Sequence, residues 1–244
     1  MDPNMQSYLI ACAVTFVCIA LFVILCTHFL KNKSEKIRLI PVIVIFFLLV
    51  VLEVWKIYRL IRTDGSFAPL RYPIVFCSLV MYAYPLFCFK KNRFSELAKG
   101  FSVIPCIIIF ILFVAVQYTY PWTLMQAHSY VFHGAMMAVA IYLITSKLIT
   151  FRFRDFFMNG LLIAAYILLC TVISLAIGAD ISLFGPESSF LSVIYSNLGY
   201  GVGNVVLMCV VMLLSAGIYG AICGSICLYH KSKNMQIQLE GGTN

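Results

Sequence analysis

Charged residues are scarce in this chain of 244 residues, and acidic residues especially so. Only 11% of the residues are Asp, Glu, Lys or Arg, nine of them acidic, whereas 63% are hydrophobic. A soluble domain of this size does not need so much apolar surface, so a soluble globular protein is excluded. Runs of 18 or more apolar residues recur along the whole length, and they predict an all-α, polytopic membrane protein.

The sequence also lacks the patterns of a disulfide framework or a metal site. Eight of its ten cysteines lie within apolar segments, where a free cysteine packs as a small hydrophobic residue. No Cys-x-x-Cys pair and no zinc-type spacing occurs. Cys223 and Cys227 are one helical turn apart, but no His or acidic residue accompanies them. We therefore predict no metal and no cofactor.

The sequence does not predict a cleavable signal peptide. The opening Met1-Asp-Pro-Asn has no positive charge, and the apolar run over about 7–30 is too long for the core of a signal peptide. We expect this run to be the first transmembrane helix.

The apolar runs predict seven transmembrane helices in a single domain, residues 1–229, followed by a short polar cytoplasmic tail, residues 230–244. The helices are expected at about 7–30, 37–62, 72–89, 97–118, 123–149, 156–177 and 190–229. The last run is too long for one span, and Gly199, Gly201 and Gly203 mark the expected bend. We expect the tail to lack regular structure.

Basic residues outnumber acidic ones by 17 to 9, a net charge of +8. In a soluble protein this excess would point to nucleic acid, but here the Lys and Arg residues lie in short loops, where they orient the chain in the membrane. Every second loop along the chain carries Lys and Arg residues. If these loops are cytoplasmic, the N-terminus lies outside and the C-terminus lies in the cytoplasm. The loop after the second helix, with Arg62 and Arg71, is the one exception. We predict an integral, multi-pass protein of the bacterial cytoplasmic membrane with no nucleic acid partner.

With this topology, unusual polar groups share the outer leaflet. At a rise of ~1.5 Å per residue, Cys77 lies ~8 Å, Glu53 ~14 Å and His133 ~15 Å below the outer ends of their helices. Ionisable groups at such depth usually face a bundle interior or a wet cavity. Polar groups from several helices at similar depth predict a pocket in the outer leaflet. Its predicted substrate-binding residues are Glu53, Lys56, Arg59, Tyr84, Ser129, Asp180 and Asn204.

Two interpretations of the charged residues on the second helix stay open. Glu53 and Lys56 are three residues apart, so they can neutralise each other in a purely structural role. In the functional interpretation, Lys56 or Arg59 binds an anionic head group.

Cys77 and His133 form the predicted catalytic pair. An imidazole can take the proton of a neighbouring thiol and leave a nucleophilic thiolate, and such a pair in an apolar pocket suits acyl transfer. The positive end of the dipole of the third helix also favours the thiolate. The alternatives are structural: a cysteine in a membrane helix usually packs, and a histidine can hydrogen-bond across helices. His128 competes with His133 but is predicted nearer the surface.

Several short motifs resemble those of the YwaF / transmembrane protein 164 family of multi-pass proteins. Pro73, Cys77 and Pro85 match its Pro–Cys–Pro helix, and His133-Gly134 matches its His-Gly step. The third block of the family's motifs is matched by Gly178, Asp180 and Pro186. The family's pattern of an acidic, an aromatic and a basic residue on the second helix is matched by Glu53, Trp55 and Lys56. The chain departs from many bacterial members at Val75, where they have a second His, and at Asp180, which is often Asn.

The resemblance implies a function in lipid metabolism. Animal members of the family are regarded as Cys-dependent acyltransferases that move fatty acyl chains between phospholipids. By this resemblance Cys77 would accept an acyl group, His133 would act as base and then acid, and the partners would be membrane phospholipids or other acyl lipids. A transporter or small-molecule-binding protein that uses the same pocket is the alternative, and an assembly subunit is a third possibility. Protein partners are not predicted.

Overall fold

The computed structural model describes residues 3–64, 76–89, 92–117, 122–149, 153–177 and 192–241. Within these ranges every regular element is an α-helix. The helices are α1 (Pro3–Leu30), α2 (Glu35–Arg38), α3 (Ile40–Asp64), α4 (Phe76–Cys88), α5 (Arg93–Gln117), α6 (Leu124–Thr145), α7 (Phe153–Ile177), α8 (Ser192–Leu198) and α9 (Tyr200–Gly241).

Six helical segments in the described ranges are long and apolar enough to cross a membrane. They are Asn4–Leu30, Glu35–Arg62, Arg93–Ile111, Leu124–Thr145, Phe157–Ala176 and Tyr200–Ser225. The predicted third span is described only as α4, an apolar helix of 13 residues. The all-α, multi-pass membrane architecture predicted from composition is therefore confirmed.

Helices α5 and α6 are the most buried of the six segments and form the centre of the bundle. Helix α6 packs against α1, α3 and α5, whereas α5 packs against α4, α6, α7 and α9. A larger apolar cluster joins α1, α3, α4, α5 and α6, and a smaller one joins α5, α7 and α9. Helix α5 thus connects the two halves of the core.

Two glycines allow close approach of neighbouring helices. A Cβ atom at Gly134 of α6 would lie 2.7 Å from Cγ2 of Thr15 on α1. A Cβ atom at Gly100 of α5 would lie 2.6 Å from Nδ2 of Asn159 on α7. Since a real Cβ atom cannot stay at these distances, alanine at either position would force the contacted side chain to shift.

The expected bend in the last apolar run is a break at Gly199. This residue has φ +73°, a left-handed conformation that glycine adopts without steric cost, and it separates α8 from α9. The expectation for the tail was wrong, because α9 continues to Gly241. Residues 230–240 contain neither proline nor glycine, so nothing in the local sequence stops the helix before Gly241-Gly242.

Candidate functional site

An ion pair with a buried carboxylate lies on α3, where this helix contacts α4. Glu53 is 5% exposed, and its Oε1 accepts a hydrogen bond from Lys56 Nζ at 2.6 Å. The two residues are three apart, which places them on one face of the helix. The predicted neutralisation of Glu53 by Lys56 is therefore present in the structure.

A second donor connects this pair to α4. Ser78 is 1% exposed, and its hydroxyl donates to Glu53 Oε1 at 2.9 Å. Ser78 was not among the predicted site residues, although the sequence carries a signal for it: Ser78 is a hydroxyl residue next to Cys77 in an otherwise apolar helix. A buried carboxylate needs donors, and Ser78 supplies one from the neighbouring helix.

Cys77 lies in the first turn of α4, directly before Ser78, and it is half-buried against the larger cluster. The bond from Ser78 to Glu53 therefore fixes the turn that carries the thiol beside the ion pair. None of the hydrogen bonds between described residues joins Cys77 to His133, so the catalytic role of this pair stays a prediction.

His133 has one ring nitrogen engaged within its own helix. Its Nδ1 lies 2.8 Å from the carbonyl oxygen of Ser129, and because a carbonyl only accepts, Nδ1 carries the proton. Nε2 therefore has the free lone pair. The ring stacks on Phe113 at 4.4 Å between centroids and meets the edge of Phe132 at 5.6 Å. Ser129 contributes to this arrangement through its carbonyl group.

His128 is buried, with 8% of its area exposed. Its Nε2 lies 2.9 Å from the carbonyl oxygen of Leu52 on α3. The ring stacks on Trp55 at 5.3 Å and on Phe132 at 5.9 Å. His128 lies nearer the start of α6 than His133 does, in agreement with its shallower predicted depth, and the contact with α3 covers its ring.

The other predicted residues occupy different parts of the molecule. Arg59 lies over the Trp55 ring, 6.0 Å from its centroid, near the ion pair. Tyr84 is fully buried in α4, and its hydroxyl contacts Cys106 Sγ at 4.0 Å. Asn204 of α9 is 2% exposed and accepts a hydrogen bond from the Tyr195 hydroxyl at 2.7 Å. Asp180 falls outside the described residues.

The structure thus brings Glu53, Lys56, Ser78 and Cys77 together at the contact of α3 with α4, and it places His128 against the same part of α3. Asn204 belongs instead to the half of the bundle where α9 packs on α5, α7 and α8. The cluster of Glu53, Lys56, Ser78 and His128 is called the polar cluster below.

An apolar cavity of about 270 Å³ lies between α1 and α6. Its lining is Val14, Thr15, Cys18, Ile19, Phe22, Ile45, Tyr130, Val131, Gly134, Ala135 and Ala138. None of the predicted site residues belongs to this lining. In the described part of the chain, no group of three His, Cys, Asp or Glu side chains could hold a metal ion.

Comparison with known proteins gives one finding. A family model described as the TMEM164 family matches residues 3–216, which include α1 to α8 and the first part of α9. No curated protein and no solved structure matches the chain.

Proposed function

The chain belongs to the TMEM164 family, and from this premise we propose that it is an integral membrane acyltransferase that moves fatty acyl chains between lipids through Cys77. The observation that carries the proposal is the position of this thiol. It is half-buried in an apolar bundle, and the adjacent Ser78 ties its helical turn to the buried carboxylate of Glu53. A nucleophile needs such a fixed position to meet a substrate carbonyl.

In the proposed reaction, His133 takes the proton of the Cys77 thiol and the thiolate attacks the ester carbonyl of a donor lipid. The ester C–O bond breaks, the leaving alkoxide takes the proton from His133, and the acyl group stays on sulfur as a thioester. An acceptor hydroxyl then attacks the thioester carbonyl, so that a new ester forms and the Cys77 thiol is restored. Water in place of the acceptor would give a free fatty acid.

The proposed topology has seven spans, with the N-terminus outside and the C-terminus in the cytoplasm. Alternate loops carry the basic residues, and α4 contains no charged residue. In this topology the thiol lies in the outer leaflet. The bacterial cytoplasmic membrane is the proposed location, and membrane phospholipids or other acyl lipids are the proposed partners.

The alternative is a transporter in which the pair of Glu53 and Lys56 binds an ion or a small molecule. Its support is the buried charge itself, since charged groups inside a membrane bundle commonly mark transport pathways. A transporter has no need for a reactive thiol at Cys77, and this difference separates the two functions.

The test is labelling with an iodoacetamide lipid probe in detergent, followed by lipid analysis of cells that express the wild type or Cys77→Ala. We expect Cys77→Ala to remove most of the labelling and to alter the acyl composition of the lipids. Cys209→Ala is the matched control, because Cys209 is an exposed free cysteine on α9. Equal labelling of wild type and Cys77→Ala, with unchanged lipids, would exclude Cys77 as the nucleophile.

A further inference from the structure

The apolar cavity between α1 and α6 is separate from the polar cluster. Its volume is about 270 Å³, and no member of the polar cluster lines it. The lining consists of residues between 14 and 22 of α1, residues between 130 and 138 of α6, and Ile45 of α3. The cavity is therefore a space of its own between three helices, and it has no part in the proposed reaction.

The cavity lies near the middle of the segments that cross the membrane. The lining range of α1, 14–22, and the segment Asn4–Leu30 have midpoints one residue apart. The lining range of α6, 130–138, and the segment Leu124–Thr145 agree equally well. Each range extends along ~12 Å of helix at ~1.5 Å per residue. The cavity is thus well inside a hydrocarbon layer that is about 30 Å thick.

The cavity has an exposed mouth and a buried floor. The mouth is formed by Val14 and Val131, which are 56% and 51% exposed, and by the exposed Cys18. The floor is formed by Ile19 and Ala138, which are only 6% and 4% exposed. Since α1 and α6 are membrane-spanning segments, this mouth opens sideways into the bilayer and not into water.

The chemistry of the lining restricts what can occupy the cavity. None of the lining residues is charged, and the hydroxyl groups among them belong to Thr15 and Tyr130. The Tyr130 hydroxyl lies 3.8 Å from the Cys12 sulfur atom. Water does not fill a cavity with so few polar partners. An empty cavity would lose dispersion contacts along its lining, so a hydrocarbon chain from the bilayer is the favoured occupant.

We propose that the apolar cavity binds one acyl chain of a membrane phospholipid, which enters between α1 and α6. A dry apolar cavity of about 150 Å³ takes a benzene ring, so 270 Å³ has room for roughly ten chain carbons. The head group stays at the membrane surface, so binding depends on the chain and not on the charge of the head group. The proposal goes beyond the acyltransferase function and does not require a reactive Cys77.

The test uses the full chain in nanodiscs of palmitoyl-oleoyl phosphatidylcholine with a small fraction of photoreactive phosphatidylcholine. One probe carries a diazirine at the methyl end of an acyl chain, and a second probe carries it next to the ester. Mass spectrometry of the irradiated protein locates each cross-link. Leu168 and Leu213 are internal controls, because they lie near the middle of the segments Phe157–Ala176 and Tyr200–Ser225 and are 55% and 72% exposed.

We expect the probe with the terminal diazirine to cross-link Ile19 and Ala138 at least as strongly as the two control leucines, although the floor residues are far less exposed. The probe with the diazirine next to the ester should not react with the floor, because its reactive group stays near the membrane surface. A phosphatidylglycerol probe with the terminal diazirine should give an unchanged yield, because no charged residue lines the cavity.

Two substitutions fill the cavity from α6. Ala135→Leu and Ala138→Leu each add an isopropyl group at the lining, and we expect each to lower the yield at Ile19 by about tenfold or more, because excluded methylenes lose their burial. Ala20→Leu is the matched control, since Ala20 is exposed on α1 outside the lining. Cys77→Ala should also match the wild type. Melting shows which variants are folded, and the wild-type comparison with the control leucines needs no variant.

Several results would overturn the proposal. A floor without cross-links in the wild type, or an equal loss of them in Ala20→Leu, would show that no lipid chain enters the cavity. Equal reaction of the floor with both probes would contradict a chain end at the middle of the membrane. Loss of the cross-links on addition of a small fraction of polyprenol would identify an isoprenoid chain as the ligand. Floor cross-links in a protein without acyl transfer would remove only the proposed enzymatic function.

Discussion

Ser78 and Lys56 donate hydrogen bonds to the same oxygen of the Glu53 carboxylate. The bond from the Ser78 hydroxyl is the one that connects α4 to α3. Replacement of Ser78 by alanine would remove this donor from a buried carboxylate. We expect Ser78→Ala to lower the free energy of unfolding by about 1–3 kcal/mol, the usual cost of a buried group that loses its partner. Denaturation of the purified protein in mixed micelles measures this change.

Ser225→Ala is the matched control for Ser78→Ala. The Ser225 hydroxyl donates only to the carbonyl of Ala221 within its own helix, and the residue is exposed. Its loss should change the unfolding free energy by less than about 0.5 kcal/mol, as is usual for surface positions. Equal effects of the two substitutions would show that the bond from Ser78 to Glu53 does not stabilise the bundle.

The ion pair was predictable from the sequence, whereas the contact of Glu53 with Ser78 was not. Glu53 and Lys56 lie on one helix at a spacing that brings side chains together, so local geometry alone predicts their contact. Ser78 and His128 reach α3 from other helices. Their contacts depend on the rotation of α4 and α6 about their own axes, and a count of residues from a membrane surface contains no information on rotation.

The break between α8 and α9 is controlled by one glycine. Gly199 has φ +73°, whereas Gly201 lies in the first turn of α9. A Cβ atom at either position would meet nothing within 4 Å, so the two glycines differ in backbone conformation and not in the space around them. We expect Gly199→Ala to destabilise the protein by about 1–2 kcal/mol, because the left-handed conformation is strained for any residue with a Cβ atom. Gly201→Ala should be neutral or slightly stabilising, because alanine favours a helix.

Thermal unfolding in detergent compares the two alanine variants directly. A lower midpoint for Gly199→Ala and an unchanged or higher one for Gly201→Ala is the expected result. If both substitutions raise the midpoint, then the chain around Gly199 continues as a regular helix and the break is absent. The glycines predicted the break to within a few residues, but which of the three glycines carries it depends on a backbone angle that the sequence does not reveal.

The two halves of the bundle differ in what they contribute to the candidate site. The half built from α3, α4 and α6 holds the polar cluster, and α9 with Asn204 lies in the other half. The sequence predicted polar groups from five helices in one pocket, because all of them fell at similar depth. The depth of a residue along its helix predicts its leaflet. It cannot show that the polar cluster and Asn204 lie on opposite sides of α5.

The number of spans determines on which side of the membrane the segment after α4 lies. If α4 crosses the membrane, the turn after α1 and the segment after α4 lie on the same side, and there are seven spans. If α4 does not cross, these two positions lie on opposite sides. The test places single new cysteines at Asn32, Phe89 and Trp122, all of which are exposed. The unaltered chain gives the background of the native cysteines.

For the seven-span topology we expect a membrane-impermeant maleimide to label Trp122→Cys in intact spheroplasts. Asn32→Cys and Phe89→Cys should react only after the membrane is opened, because both positions follow an odd number of spans from an outer N-terminus. With six spans and the same N-terminal side, the results at 89 and 122 would be reversed and that at 32 unchanged. Because α3 ends on the outer side in both topologies, a reversal would leave the first turn of α4, with the Cys77 thiol, on that side and would move only the segments after α4.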